Sequence, residues 1–296
     1  MAREQRTPLS IIPPGSAFVL TADLRKLEQA SLGAFLAQRL GHAGGAGKFA
    51  TLCGFDPVAR LDQLAFSVPS AGLDAQEHPE DFGIVASGRF TAAEIMRCAK
   101  AATAEHGGET VQTKLGSFST ARDRKTSGEV AARDGGPLIV SGGGYFRELL
   151  DAADGHAPQR DDARDARHVE LRRSLGPGPI VATWVLGEGW FERVSGGETN
   201  PRLSPLSALE AVGARVDVAS DIRLLVLLEC ADSESAAKIA SLLGELRSSL
   251  DALPLDPALT GMAKRVTVSQ TGARLKLSLG LGQSELSPLL DLLLGP

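Results

Sequence analysis

Apolar residues along this chain recur in two rhythms, one of period two and one of period 3.6, and the switches between them outline the elements. Ala17–Ala22, with its Phe, Val, Leu and Thr, reads as a short strand. Asp23 follows with a carboxylate able to cap a helix, and Leu24, Leu27, Leu32, Phe35, Leu36 and Leu40 continue at helical spacing until Gly41. Gly54-Phe55-Asp56-Pro57 reads as a helix entry with Asp56 as cap and Pro57 in the first turn. Gln63–Val68 and Phe82–Phe90 read as strands joined by the polar stretch Gly72–Asp81. Thr91 caps a helix to His106, with Ile95, Met96, Ala99 and Ala102 on its apolar side. Strands at Thr110–Ala121 and Glu129–Val140 and a helix over Tyr145–Ala153 follow.

The same order returns further on, as in a chain with an internal repeat. A strand at Ile180–Leu186 answers Ala17–Ala22, and Ser204–Val212 answers the helix Ser31–Leu40. Ala214–Ala219 and Ile222–Cys230 form a strand pair, Asp232 caps a long helix to Leu250, and strands at Arg265–Gln270 and Arg274–Leu281 come next. Leu149-Leu150-Asp151 with Gly155 recurs at the same spacing as Leu289-Leu290-Asp291 with Gly295. The resulting expectation is an α+β fold of two pseudo-repeats, each a mainly antiparallel sheet with helices on one face. Residues 1–14 form an N-terminal tether, 15–155 the first repeat, 156–167 a linker and 168–296 the second repeat. Within that linker, the alternating Arg and Asp residues suit either a solvated connection or the exposed start of a helix running to Leu175.

Composition narrows the function. The 296 residues are 43% hydrophobic, enough for a full core, but only 4% aromatic, so that core is aliphatic. A net charge of −5 with no basic block argues against nucleic-acid binding, which draws its affinity from phosphate neutralisation. No apolar run reaches the roughly 20 residues of a membrane-spanning helix. Cys53, Cys98 and Cys230 lie far apart, and the simplest expectation is three buried free thiols.

Few motifs carry chemistry. Gly44-Gly45-Ala46-Gly47-Lys48 lacks the first glycine and the final hydroxyl of a phosphate-binding loop, with His42 and Phe49 in those places. Gly187-Glu188-Gly189 has Glu192 where a dinucleotide fingerprint needs a third glycine. Gly142, Gly143 and Gly144 stand between a strand and a helix, where free amides bind an anion or where glycines merely allow a tight turn. Trp184, Trp190 and Phe191 concentrate the aromatic surface and suit either a ligand anchor or core packing. The five histidines, His42, His78, His106, His156 and His168, fall in loops or at element ends and read as solvated. No metal-binding spacing, no catalytic motif and no cofactor fingerprint is present.

Gly15–Leu24, Ser31-Leu32-Gly33 and Gly54-Phe55-Asp56-Pro57 resemble uncharacterised proteins of myxobacteria and related bacteria that are predicted envelope lipoproteins. That resemblance covers mostly the first half and implies a lipid-anchored domain of the envelope. As the sequence stands, with no apolar leader at its start, the expectation is a cytoplasmic protein, or one of the envelope or periplasm if an upstream export signal has been removed. Together these readings point to a non-catalytic binding or structural module whose partner is a protein. The alternatives are a carrier of a small apolar or lipid ligand in a groove between the repeats, with Ser287–Leu294 as lid or homo-oligomer contact, and an enzyme whose site is assembled from dispersed residues.

Overall fold

The computed structural model describes residues 6–33, 46–56, 58–70, 81–126, 128–156, 163–196, 200–250 and 257–286. The chain divides into two compact units, 1–29 with 34–165 and 30–33 with 166–296. The fold is mixed α+β with antiparallel strand pairing throughout both units.

In the first unit the strands are β1 (Ser16–Asp23), β2 (Leu61–Pro69), β3 (Phe82–Gly88), β4 (Thr110–Leu115), β5 (Phe118–Asp123), β6 (Glu129–Ala132) and β7 (Leu138–Gly142), side by side as β1-β2-β3-β7-β6-β5-β4. Two stretches expected to be single strands are hairpins. Gly116 at φ 56° turns β4 into β5, and Gly135 at φ 65° helps turn β6 into β7. A positive φ is open to glycine at little steric cost, so these residues place the turns.

The helices of this unit are α1 (Leu24–Gln29), α2 (Ala46–Cys53), α3 (Ala92–Glu105) and α4 (Tyr145–Asp154). They pack on both faces of the sheet, a correction to the one-face expectation. Val85, Ala131 and Ile139 meet Phe146 and Leu149 of α4, while Ala121 and Ala132 meet Ile95 and Met96 of α3. Paired residues share a face, and β3, β6 and β7 are apolar at both parities, so each face needs a cover. Gly83 leaves room for Tyr145 and Leu149, whose carbons lie 3.0 and 2.6 Å from where a Cβ would stand.

Residues 8–14 are no tether. Pro8–Ile11 makes a 3-10 turn, Ile11 is buried against the α4 core, and the Arg6 guanidinium donates to the Ala152 carbonyl at 2.9 Å. Pro8 and Ile11 are buried and Ile12 packs against the same core, and these apolar residues dock it. The expected linker also ends early, since helix α5 (Ala163–Leu175) begins within it. His168, Leu171 and Leu175 recur at helical spacing and are buried, so burial of that stripe favours the helix over a solvated connection.

The strands of the second unit are β8 (Ile180–Val185), β9 (Leu209–Val218), β10 (Asp221–Cys230), β11 (Thr267–Thr271) and β12 (Arg274–Gly282), ordered β8-β9-β10-β12-β11. With the β4–β5 hairpin set aside, this is the order β1-β2-β3-β7-β6 of the first unit. Helices α6 (Trp190–Val194), α7 (Ser233–Ser249) and α8 (Pro257–Arg265) complete it. Here too both faces are covered: Ala236 and Ile239 of α7 pack on Leu275, Leu228 and Val212, and Leu171 and Leu175 of α5 pack on Ala211, Val181 and Leu227. Ser204–Val212 is not a helix but a 3-10 turn, Ser204–Ala208, that runs into β9. Asp232 caps α7 by accepting from the Ser235 amide at 2.7 Å, and Thr91 with Glu94 forms a reciprocal capping box on α3.

Cys53 and Cys98 form a disulfide between α2 and α3, correcting the expectation of three free thiols; Cys230 is free and buried. The pair closes a sequence separation of 45 residues, which no local pattern exposes.

Candidate functional site

Gly142 is the last residue of β7, and Gly143, at φ 65°, turns the chain into α4. The Gly144 amide at the start of α4 donates to Asp81 Oδ1 at 3.0 Å, and that same oxygen occupies the space a Cβ at Gly143 would need. The anion that this helix start attracts is therefore a carboxylate of the chain itself. In the second unit, at the end of β12, the Gly282 N–H donates to Glu285 Oε2, three residues on, at 2.8 Å. That bond, together with Arg265 at 2.6 Å, holds the Glu285 carboxyl below its ordinary range.

Trp184 lies on β8 opposite Val212, and Trp190 opens α6. Their rings meet edge-on with centroids 6.4 Å apart, both against the α7 core. Trp190 Nε1 donates to the Leu209 carbonyl at 3.0 Å, so its polar edge is satisfied inside the unit. Phe191 is half-buried and stands edge-on to Trp190 at 5.7 Å. The three aromatics come together, while the three glycines lie in the other unit.

A cleft of about 560 Å³ opens on the second unit's sheet, on the face that carries α5. It follows from the register. β10, β12 and β11 set Glu229 opposite Arg274, Leu227 opposite Lys276, Thr271 opposite Arg274 and Ser269 opposite Lys276, so these side chains project to one side. α5 packs on this face over β8, β9 and Leu227 of β10, and beyond it the side chains of Ser269, Thr271 and Lys276 are exposed. A β-bulge brings in one more group. Cys230 pairs with Leu209 and Glu229 with Ala211, which leaves Glu210 as the extra residue. Its carboxylate meets Arg167 of α5 at 2.7 Å.

Arg274 is held on three sides. It bonds Glu229, donates to Ser174 Oγ at 2.9 Å and lies 4.0 Å from Glu170. Lys276 is exposed, next to the hydroxyl of Ser269 across the ladder, and forms no ion pair among the described residues. Of the charged groups lining the cleft, Arg167 and Arg274 are matched by Glu210 and Glu229, so Lys276 carries the uncompensated charge.

Cys230 also lines this cleft. Burial pushes its thiol up from the ordinary value, and Asp232, Glu210 and Glu229 add to the shift. A thiol is nucleophilic as the thiolate, so this environment makes it inert. His168 is not solvated as expected: it is buried on the inner face of α5, with Nδ1 2.7 Å from Thr183 Oγ1. Among the described residues, no group of three His, Cys, Asp or Glu is placed to hold a metal ion. The helix of Ser287–Leu294 lies outside the described residues, as do His42, Gly44 and Gly45 of the glycine-rich loop.

Sequence reading missed the cleft because its lining is drawn from positions 167 to 276 and from five elements. One local signal was present: the strand Arg274–Leu281 alternates Arg, Lys and Ser with leucines, which marks a polar face.

No protein-family model matches the chain, and comparison with curated proteins finds no match. Solved structures do match. Crystal form III of TP0453 aligns over 97% of this chain and 98% of that one, with a TM-score of 0.57 at 11% identity. Crystal form I of TP0453 aligns over 99% and 100%, with a TM-score of 0.52 at 10% identity. This chain shares the α+β fold of TP0453. No described helix is long and apolar enough to cross a membrane.

Proposed function

We propose that this chain is a non-catalytic binding module of the bacterial cell envelope that takes an anionic group of its partner into the cleft of the second unit. The observation that carries the reading is Lys276, an exposed ammonium group beside Ser269 and Thr271 in a cleft whose other charges are paired. A compact cation flanked by hydroxyl groups suits a carboxylate or phosphate. The charged lining favours such a ligand over an apolar one, and so favours the binding module over the carrier. The Cys53–Cys98 disulfide supports an oxidising compartment, where such bonds persist. The inert environment of Cys230 supports a binding role for the cleft rather than covalent chemistry. The likeness in strand order between the units supports an internal repeat.

The test is native mass spectrometry on wild-type and Lys276→Glu protein purified gently from the cells that make it. The expected result is an added mass bearing an acidic group on the wild type and its loss from the variant. Equal loading of the two proteins, or turnover of the bound compound, contradicts the proposal.

A further inference from the structure

The free side of β11 borders this cleft, and its chemistry is unusual for a sheet edge. Proteins protect exposed edges with charged residues, proline, bulges or a covering element. Thr267-Val268-Ser269-Gln270-Thr271 has no charge, no proline and no register shift against β12, and four of its five residues are exposed. By contrast β4, the last strand in the first unit's order, carries Lys114. β11 is also fixed in place. Gln270 donates to the Ser233 and Gly272 carbonyls at 2.9 and 3.0 Å, and Val268 packs into the α7 core.

The β11–β12 turn has two residues, Gly272 and Ala273, with Gly272 at φ 58°. In such a hairpin the flanking pair, Thr271 and Arg274, is a hydrogen-bonded one, and bonded and non-bonded pairs then alternate. Val268 and Gln270 therefore aim their N–H and C=O groups away from β12. They offer two residues of ladder to an incoming strand, and no described strand takes them.

We infer that β11 is a docking edge for an extended segment of a partner protein, one that alternates carboxylate side chains with β-branched apolar ones. The inference rests on the anion-binding reading of the cleft and names the partner that bears the anion. An added strand lies about 4.8 Å from β11 and about 9–10 Å from β12. Its residues on the cleft side stand beside Ser269 and Thr271, and a glutamate there spans with Lys276 the width of one strand. Its residues on the other side stand beside Val268, half-buried at the rim of the core. Backbone pairing supplies affinity, and the two alternating rows supply selectivity.

The experiment is fluorescence anisotropy of the full chain with a labelled, end-blocked peptide, Thr-Val-Glu-Val-Glu-Val-Thr. The expected result is saturable binding. N-methylation along one edge of the peptide weakens it at least tenfold, and along the other edge changes it less than twofold. Lys276→Glu, an exposed change that leaves the core intact, weakens it at least fivefold, and exchanging both glutamates of the peptide for lysine restores affinity to that variant. Equal tolerance of both methylated peptides, indifference to Lys276→Glu, or no binding at millimolar peptide overturns the inference. A dimer of the chain that the peptide dissociates also overturns it, by making the occupant a second copy. Glutarate binding that depends on Lys276, without peptide binding, removes strand docking while leaving the anion site in place.

Discussion

Breaking the Cys53–Cys98 bond is expected to be the most costly single covalent change in the first unit. The bond ties the end of α2 to α3, and α3 covers one face of the sheet through Ile95 and Met96. The two cysteines are 45 residues apart. Closing a loop of that length in the unfolded chain removes entropy worth about 4 kcal/mol on the chain-entropy model, within the usual span of about 2–5 kcal/mol. With a urea slope of about 2 kcal/mol per molar for a domain of this size, Cys98→Ser or reduction lowers the first unit's midpoint by about 2 M. Urea titration followed by circular dichroism, with and without reductant, measures the shift. A thiol assay on the unreduced chain provides the independent check: one reactive thiol, Cys230, exposed only on unfolding because it is buried when native. Three thiols in the denatured, unreduced protein, or a midpoint indifferent to reductant, would refute the reasoning.

Other expectations follow from the same packing. Gly143→Ala forces a side chain into positive φ and into the Asp81 carboxylate, so it destabilises by more than about 1–2 kcal/mol, measured by denaturation. Leu149→Ala empties the centre of the α4 core, where Leu149 is fully buried, and costs about 2–5 kcal/mol. Thr91→Ala removes the α3 cap and costs about 1 kcal/mol, visible as a lower melting temperature. Glu94 of that box is lowered to about 2, chiefly by the Thr91 N–H and then by Arg60. A carboxyl depressed on folding stabilises fully above its unfolded value near 4.5, and its contribution is lost as pH falls from there towards 2. The midpoint of wild type therefore drops more steeply across that window than that of Glu94→Gln, and parallel curves would count against the box.

The strands and their caps were legible because they obey local rules. Asp23, Thr91 and Asp232 lie between a short apolar strand and a stretch of helical spacing, and the strand-then-cap order around Thr91 recurs around Asp232. The turns at Gly116 and at Arg133–Pro137 were hidden, since short apolar stretches on both sides read as continuous strands. One-sided helix packing was expected from the hairpins, whereas the residues that decide it, such as Val85 beside Ala86, are apolar on both parities. The candidate sites depended on distance in the chain. Gly143 suited an anion site or a tight turn, and Asp81, 62 residues earlier, supplies the anion. Trp190 suited a ligand anchor or core packing, and the Leu209 carbonyl takes its indole N–H. The cleft required the Glu210 bulge and the register of three strands, neither of which a single stretch of sequence encodes.

The central claim is that the second unit's cleft is where this protein binds. Its most direct test is an NMR titration of the isotope-labelled full chain with glutarate. The expected result is saturable shifts concentrated on Ser269–Lys276 and Leu227–Cys230 and abolished by Lys276→Glu. Shifts centred elsewhere, or none, would contradict it.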